Sequence, residues 1–188
     1  MTILLVRHGE TAGNASRILQ RADMPLNERG LRQAERLAQR LLDHGFVHIV
    51  CSDLFRARMT AAPLAARSGM AIEESQLLQE RNFGDLRGVP YADLTENPFG
   101  PDFAPPNGED WPTFHARVAD AFDFIVSRRR SVNGALVVVT HGLVCRALVV
   151  ARGEVDLLHV DRGAGGLPVP EGRHVHLRVR PQLALAPA

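Results

Sequence analysis

Two histidine–glycine pairs in this sequence follow apolar segments that have the composition of buried β-strands. Arg7, His8 and Gly9 come directly after the first of these segments, and His141 and Gly142 end a later one. Open α/β sheets bind ligands beyond the carboxyl ends of their parallel strands. Side chains that follow two such strands can share one pocket, so we expect the two histidines to meet there.

A third apolar run supplies a second arginine for this pocket. Ser52 and Asp53 end that run, and Arg56 follows at the predicted start of a helix, where backbone N–H groups and the helix dipole favour an anion. Arg56 could instead form an ion pair with Asp53. Together with Arg7 it would present planar forks of N–H groups to the oxygens of a phosphoryl group.

Two histidines and two arginines suit phosphoryl transfer through an imidazole. A neutral imidazole can attack phosphorus, and the phosphoramidate that forms is more labile than a serine phosphoester. The leaving alkoxide needs a proton, so a carboxylic acid is expected near the same pocket. Glu80 is our candidate, in a loop with Phe83 and Gly84 that could fold over the site. Spacing alone does not separate Glu80 from Asp85.

Other chemistry-bearing residues have simpler explanations. His174 and His176 would lie on one face of a strand, which suggests a metal pair. No third ligand follows at a recognisable spacing, and the alternating polar positions of an edge strand explain the two rings, so no metal site is predicted. Cys145 lies one helical turn beyond His141 and is predicted to be a small core residue rather than a nucleophile.

Composition sets only broad limits. The chain has 188 residues, enough for one well-buried core, and 22 basic against 21 acidic residues, so its charge gives no reason to expect nucleic acid or a membrane as a partner. Two separated cysteines suggest no disulfide framework. No basic leader precedes the first strand, and no apolar stretch approaches the ~20 residues of a membrane span. We therefore expect a single domain over residues 1–188 in the cytoplasm; the oligomeric state cannot be predicted.

Short β-rich runs alternate with segments of helical period along the chain. Such alternation predicts an α/β fold with three layers, α/β/α, and a mostly parallel central sheet. A proline- and glycine-rich segment over 97–108 predicts a surface loop, and 163–172 a second one. Strands are predicted over 2–6, 46–51, 70–74, 135–139 and 174–180, and helices from the N-cap Asn27 to a stop at Gly45, over 54–66, over 111–130 and after His141 through Val150.

Four ordered motifs resemble those of the histidine phosphatase superfamily, in its phosphoglycerate mutase-like branch. Together they are far more specific than any lone Arg-His-Gly. The similar segments are Arg7-His8-Gly9-Glu10-Thr11 with Asn14, Ser52-Asp53-Leu54-Phe55-Arg56-Ala57 with Thr60-Ala61, Glu80-Arg81-Asn82-Phe83-Gly84 with Gly88, and Val139-Thr140-His141-Gly142, and the run from Asp23 to Gly30 with Gln33-Ala34 also matches.

The resemblance implies a role for each of the candidate residues. His8 would be the phosphorylated nucleophile, and Arg7, Arg56 and His141 would complete the phosphate pocket. Glu80 would donate the proton, and the family needs no metal or organic cofactor. Weaker candidates for phosphate or substrate contacts are Asn14, which could equally hold an Asx-turn, the backbone of Gly142, and Arg17, Arg21 and Arg81, which could equally be solvated surface arginines.

The length of the cap separates two activities within the family. Mutases of this branch carry a long insertion between the glutamate and the second histidine, whereas Glu80 and His141 are 61 positions apart here, with a short cap around 80–112. A short cap would leave a phosphohistidine open to water. The sequence therefore favours a phosphatase for small phosphorylated metabolites. The alternatives are mutase-type transfer and a module that binds a phosphorylated ligand without turnover.

Overall fold

Apolar, β-branched runs form the strands of one mixed sheet in the computed structural model, which describes residues 2–150, 156–157 and 174–178. The strands are β1 (Thr2–Arg7), β2 (Phe46–Ser52), β3 (Ile72–Ser75), β4 (Ala135–Thr140), β5 (Asp156–Leu157) and β6 (His174–Arg178). The α-helices are α1 (Ala12–Ala15), α2 (Glu28–Leu42), α3 (Phe55–Ser68), α4 (Trp111–Ser131) and α5 (Gly142–Val150).

The order of the strands brings the predicted site residues to one edge of the sheet. In the described ranges the order is β3-β2-β4-β1-β6-β5; β1 and β2 run parallel to β4, β3 runs parallel to β2, and the pairs β1–β6 and β5–β6 are antiparallel. Arg7 at the end of β1 lies opposite Thr140 at the end of β4. The next residues, His8 and His141, therefore leave the sheet side by side.

Helices cover both faces of the sheet, which explains why the central strands are continuously apolar rather than alternating. On one face, α2 and α3 pack against β1, β2 and β4. On the other face, α4 and α5 pack against the same strands, and Cys145 belongs to this core, as predicted. Burial raises the pKa of the Cys145 thiol, so the thiol stays protonated. The predicted three-layer α/β/α fold is confirmed.

The ends of the long helices follow local signals. The Asn27 side chain accepts the N–H of Gly30 at 2.8 Å and caps α2, and Asp110 accepts the N–H of Thr113 at 2.8 Å and caps α4. Gly45 is not the residue that ends α2, because the helix stops at Leu42. Gly45 instead has a φ of 60° in the turn that leads into β2, a conformation that glycine adopts without strain.

The first turn of α2 supports the loop that follows His8. A Cβ on Gly30 would overlap the carbonyl oxygen of Glu10, and a Cβ on Gly9 would lie 2.7 Å from the carbonyl oxygen of Gly30. Only two glycines allow this close approach of the backbones. The N–H of Asn27 donates to the Glu10 carbonyl at 3.0 Å and fixes the same contact.

The remaining segments differ from expectation in detail. The predicted helix over 54–66 runs from Phe55 to Ser68, and the predicted edge strand over 70–74 is β3, shifted to Ile72–Ser75. Short 3₁₀ turns, Gln76–Leu78 and Gly84–Leu86, occur on either side of Glu80, in and before the loop predicted to contain Glu80, Phe83 and Gly84. The predicted loop over 163–172 and the side chains of the two histidines in β6 lie outside the described residues. Among the described helices, none has the length and apolar character that crossing a membrane would take.

Candidate active site

His8 and His141 lie side by side at the carboxyl ends of β1 and β4. Their ring centroids are 5.1 Å apart with an angle of 58° between the planes. Both side chains are buried, with 2% and 0% of their surface exposed. The backbone N–H of His8 donates to the carbonyl of Thr140 at 2.9 Å. The pairing of the two strands thus continues up to the residues that carry the rings. The structure therefore brings together the two histidines that the sequence predicts to meet.

A hydrogen bond to the next residue sets the tautomer of His8. Nδ1 lies 2.7 Å from the carbonyl oxygen of Gly9. A carbonyl oxygen can only accept, so Nδ1 must carry the proton and the neutral ring keeps its lone pair on Nε2. The N–H of Gly9 donates to Thr60 Oγ1 at 3.0 Å, so the loop that holds this carbonyl is attached to α3. Nε2 is thus the nitrogen of the neutral His8 ring that keeps its lone pair.

The surroundings keep both rings neutral. Burial, followed by the positive charges of Arg56 and Arg7, holds the pKa of His8 well below its ordinary value. Burial, then Arg56, His8 and Arg7, has the same effect on the pKa of His141. At pH 7 each imidazole therefore retains an unprotonated nitrogen, which an attacking His8 requires.

Arg56 lies in the first turn of α3 with its guanidinium buried. One Nη donates to the carbonyl of Arg21 at 3.1 Å, and Nε has no hydrogen-bond partner among the described residues. Burial lowers the pKa of Arg56 to about 10, so it stays positively charged at pH 7. The alternative pairing with Asp53 is wrong, because both Asp53 oxygens accept from Gln79, at 2.8 and 2.9 Å. A buried cation with an unsatisfied donor is suited to an anion.

Ser52 holds the second histidine, and sequence reasoning gave it no role. His141 Nε2 lies 2.8 Å from Ser52 Oγ, and this oxygen also accepts the N–H of Leu54 at 3.3 Å. Nδ1 of His141 has no partner within the described ranges. The position of Ser52 at the end of β2 could have indicated this contact from the sequence. Its neighbour Cys51 pairs with Val139, two residues before His141, so Ser52 ends its strand close to His141.

A cavity of about 1090 Å³ opens beside His8. Its volume is far larger than a phosphoryl group requires, and it reaches from the ends of the strands to the loops before α4. Most of the predicted site residues border it. Among these are the side chains of Arg7, His8, Asn14, Arg56 and Glu80 and the backbone of Gly142.

Glu80 faces this cavity, whereas Asp85 does not. Oε2 of Glu80 accepts the N–H of Leu143 at the start of α5 at 3.2 Å, and Oε1 accepts the N–H of Arg81 at 3.0 Å. Asp85 borders a different surface depression and accepts from Asn107 Nδ2 at 2.8 Å. The geometry therefore favours Glu80 where sequence spacing left both carboxylates open.

Arg117 fixes the backbone on the amino-terminal side of Glu80. Its Nη1 donates to the carbonyls of Leu77 and Gln79 at 2.9 and 2.8 Å. Its Nε and Nη2 donate to the two carboxylate oxygens of Glu109 at 2.7 and 2.8 Å. This pair of residues, which we call the Arg117–Glu109 clamp, is mostly buried. Sequence reasoning missed both residues because their partners are distant in the chain.

Arg81 has a structural environment instead of the substrate contact or the solvated position considered from the sequence. Only 1% of its surface is exposed, although it borders the cavity. Its three guanidinium nitrogens donate to the carbonyls of Glu109, Pro98 and Phe103 at 3.0, 3.1 and 2.6 Å. The guanidinium carbon lies 3.9 Å from the centre of the Trp111 ring. Arg81 thus ties the loop before α4 to the Glu80 segment.

The weaker candidates occupy different positions. Oδ1 of Asn14 accepts the N–H of Thr11 at 3.1 Å, and the Asn14 N–H donates to Thr11 Oγ1 at 3.0 Å, so Asn14 completes a capping box while it borders the cavity. Arg17 is exposed, lies over the Tyr91 ring at 5.8 Å, and is not part of the cavity lining. Gly142 borders the cavity as the first residue of α5.

Proteins similar to this chain include a probable phosphoglycerate mutase and solved phosphatase structures. Probable phosphoglycerate mutase GpmB from Yersinia pestis (strain Pestoides F) is 43% identical over 96 residues, which are 50% of this chain and 45% of that relative. The chain thus spans about half the length of the curated relatives it matches. A mycobacterial glucosyl-3-phosphoglycerate phosphatase, solved in complex with VO₃, is 30% identical with a TM-score of 0.70, over 80% of this chain and 79% of the other.

A second solved structure and a family model also match the chain. The alpha-ribazole phosphatase from Shigella flexneri is 29% identical with a TM-score of 0.68, over 77% of this chain and 75% of the other. The model of the histidine phosphatase superfamily (branch 1) matches residues 3–165, a range that contains every predicted site residue. With the paired histidines and the buried arginines beside them, this match shows that the chain belongs to branch 1 of the histidine phosphatase superfamily.

Proposed function

We propose that this protein hydrolyses small phosphomonoesters through a phosphohistidine intermediate on His8. The observation that carries the proposal is the fixed tautomer of His8, with Nδ1 donating to Gly9 and the lone pair left on Nε2 beside two buried arginines. A neutral nucleophile and a cationic pocket are both needed to attack the phosphorus of an anionic ester. The substrate class is a small phosphorylated metabolite.

The reaction takes two steps. In the first, Nε2 of His8 forms a bond to phosphorus, the bond from phosphorus to the ester oxygen breaks, and Glu80 gives its proton to the departing alcohol. In the second, water attacks the phosphohistidine, Glu80 takes a proton from that water, and inorganic phosphate leaves with His8 restored. Arg7, Arg56 and His141 hold the phosphoryl oxygens throughout, where their charge and N–H groups stabilise the transition state.

Hydrolysis is favoured over transfer to a second hydroxyl of the substrate. Glu80 and His141 are 61 positions apart, and before α4 and β4 only residues 81–110 are left to form a cap. Arg81 holds this cap through the carbonyls of Pro98, Phe103 and Glu109. Phosphatases and a probable phosphoglycerate mutase both occur among the similar proteins. Mutase activity is therefore the second candidate, and the test must measure the interconversion of phosphoglycerates as well as free phosphate.

Release of inorganic phosphate from a panel of phosphomonoesters, with and without EDTA, tests the proposal. We expect turnover at the same rate in both conditions, because the histidine, the arginines and the carboxylic acid supply the nucleophile, the charge and the proton. A rate that EDTA abolishes and a divalent metal restores would contradict the mechanism. Interconversion of phosphoglycerates without phosphate release would favour the mutase.

The Arg117–Glu109 clamp gives a second test. Arg117→Met should displace Glu80 and lower kcat for phenyl phosphate about 10- to 100-fold. The loss should be smaller for p-nitrophenyl phosphate, whose alcohol leaves without a proton. Arg128 lies on the same helix as Arg117 and forms an exposed ion pair with Glu73 of β3. Arg128→Met is therefore the matched control and should keep both rates. Equal losses on both esters would show that Arg117 supports the fold generally rather than Glu80.

A further inference from the structure

Three aromatic side chains form a wall beside the phosphate pocket. The rings of Phe83 and Phe99 meet edge to face with centroids 6.0 Å apart, and those of Tyr91 and Phe99 do so at 5.5 Å. All three side chains line the same cavity as His8. We call Phe83, Tyr91 and Phe99 the aromatic wall.

Hydrogen bonds fix the backbone next to Phe99, the most exposed member of the aromatic wall. Phe99 has 41% of its surface exposed, whereas Phe83 has only 5%. The Phe99 N–H donates to Asn97 Oδ1 at 3.0 Å, and Arg81 binds the carbonyl of Pro98 just before it. The backbone around Phe99 is thus fixed, and its side chain lines the cavity with part of its surface exposed.

Tyr91 is the member of the aromatic wall that is affected by the charges of Glu80 and Arg7. Burial and the negative charge of Glu80 raise the pKa of Tyr91, while the nearby charges of Arg7 and Arg17 act in the opposite direction. Tyr91 therefore lies in the field of Glu80 and of Arg7, both of which border the cavity beside His8. An ester whose phosphorus is at Nε2 of His8 would have its alcohol part in the cavity that Glu80, Tyr91 and Phe99 line.

Resting on the proposed function, we propose that the aromatic wall is the subsite for the alcohol part of the substrate and selects an apolar group at least as large as a benzene ring. Such a group loses water against the edges and faces of the three rings, which favours its binding. A compact anionic alcohol, such as that of a phosphoglycerate, would lose hydration there without gaining an apolar contact. The cavity of about 1090 Å³ accommodates the larger group.

Benzyl phosphate and ethyl phosphate make a suitable pair of probes, because their alcohols are similarly acidic and differ in apolar size. We expect the wild-type protein to prefer benzyl phosphate by about tenfold or more in kcat/KM, a difference typical of one apolar group in a pocket. Phe99→Ala should reduce this preference to about threefold or less, and Phe99→Leu should restore part of it. Thermal melting of each variant shows whether it is folded.

Leu42→Ala is the control for loss of an exposed apolar side chain. Leu42 is 39% exposed at the end of α2, away from the cavity, so this variant should keep the wild-type ratio. A wild-type protein that hydrolyses both esters without preferring benzyl phosphate would overturn the subsite and leave the phosphatase proposal standing. A Phe99→Ala variant with the wild-type ratio of kcat/KM for benzyl over ethyl phosphate would also overturn the subsite. Hydrolysis of neither ester, nor of any other phosphomonoester, would instead contradict the proposed function.

Discussion

Replacing His8 with alanine is expected to leave less than about one part in 10⁴ of the wild-type kcat, the size of loss seen when a catalytic nucleophile is removed. Without Nε2 of His8, water must attack the ester directly. A rapidly quenched reaction should also show one phosphoryl group on the peptide that contains His8 in the wild type, stable in base and labile in acid, and none in His8→Ala.

The same variant separates catalysis from binding. Arg7, Arg56 and His141 remain in His8→Ala, so it should still bind inorganic phosphate, which calorimetry can measure. His44→Ala, at the turn after α2 and away from the cavity, is the control histidine and should keep full turnover. A His8→Ala protein that turns over esters at a rate near wild type would refute the nucleophile. A wild-type protein that binds phosphate and turns over no ester would revive the binding module.

The meeting of the two histidines could be predicted from the sequence because it depends on local signals and one topological rule. β1 and β4 are apolar and β-branched, and parallel strands place their carboxyl ends on the same edge of the sheet. The register then brings His8 and His141 together, since Arg7 lies opposite Thr140. The roles assigned to these side chains in the reaction stay predictions, which the variants test.

The environment of Arg81 could not be predicted in this way. Its carbonyl partners at Pro98, Phe103 and Glu109 lie 17 to 28 positions further along, in a proline-rich segment without periodicity. The same holds for Arg117, whose partners Leu77 and Gln79 precede it by 40 and 38 positions. Contacts of this kind depend on how a loop folds back, and an arginine in a polar segment gives no local sign of burial.

The choice between Arg56–Asp53 pairing and an anion site shows where local proximity misleads. Two residues three positions apart at the start of a helix are expected to interact. Here Gln79 takes both oxygens of Asp53, and the guanidinium of Arg56 is buried at the cavity with one donor unsatisfied among the described residues. Burying a cation without a carboxylate partner costs free energy, and a bound phosphoryl group would recover part of that cost.

Replacing Glu80 with glutamine is expected to lower kcat for phenyl phosphate by about 10²- to 10⁴-fold, the usual contribution of a general acid. p-Nitrophenyl phosphate has nearly the same size, but its phenolate leaves without a proton, so its kcat should fall by much less. Because the two esters are expected to bind in the same pocket, the ratio of their kcat values reports proton donation. If the substitution instead disturbed the position of the substrate, kcat would fall equally for both esters.

The design must allow for the hydrogen bonds of Glu80. The carboxylate accepts two N–H groups, from Leu143 and Arg81, whereas a glutamine side chain has a single acceptor oxygen. Melting temperature and inhibition by inorganic phosphate should therefore be measured for Glu80→Gln alongside Asp85→Asn, the matched carboxylate outside the cavity. If Asp85→Asn shows the dependence on the leaving group and Glu80→Gln does not, Asp85 is the acid, and the loop must move on substrate binding to bring it to the ester.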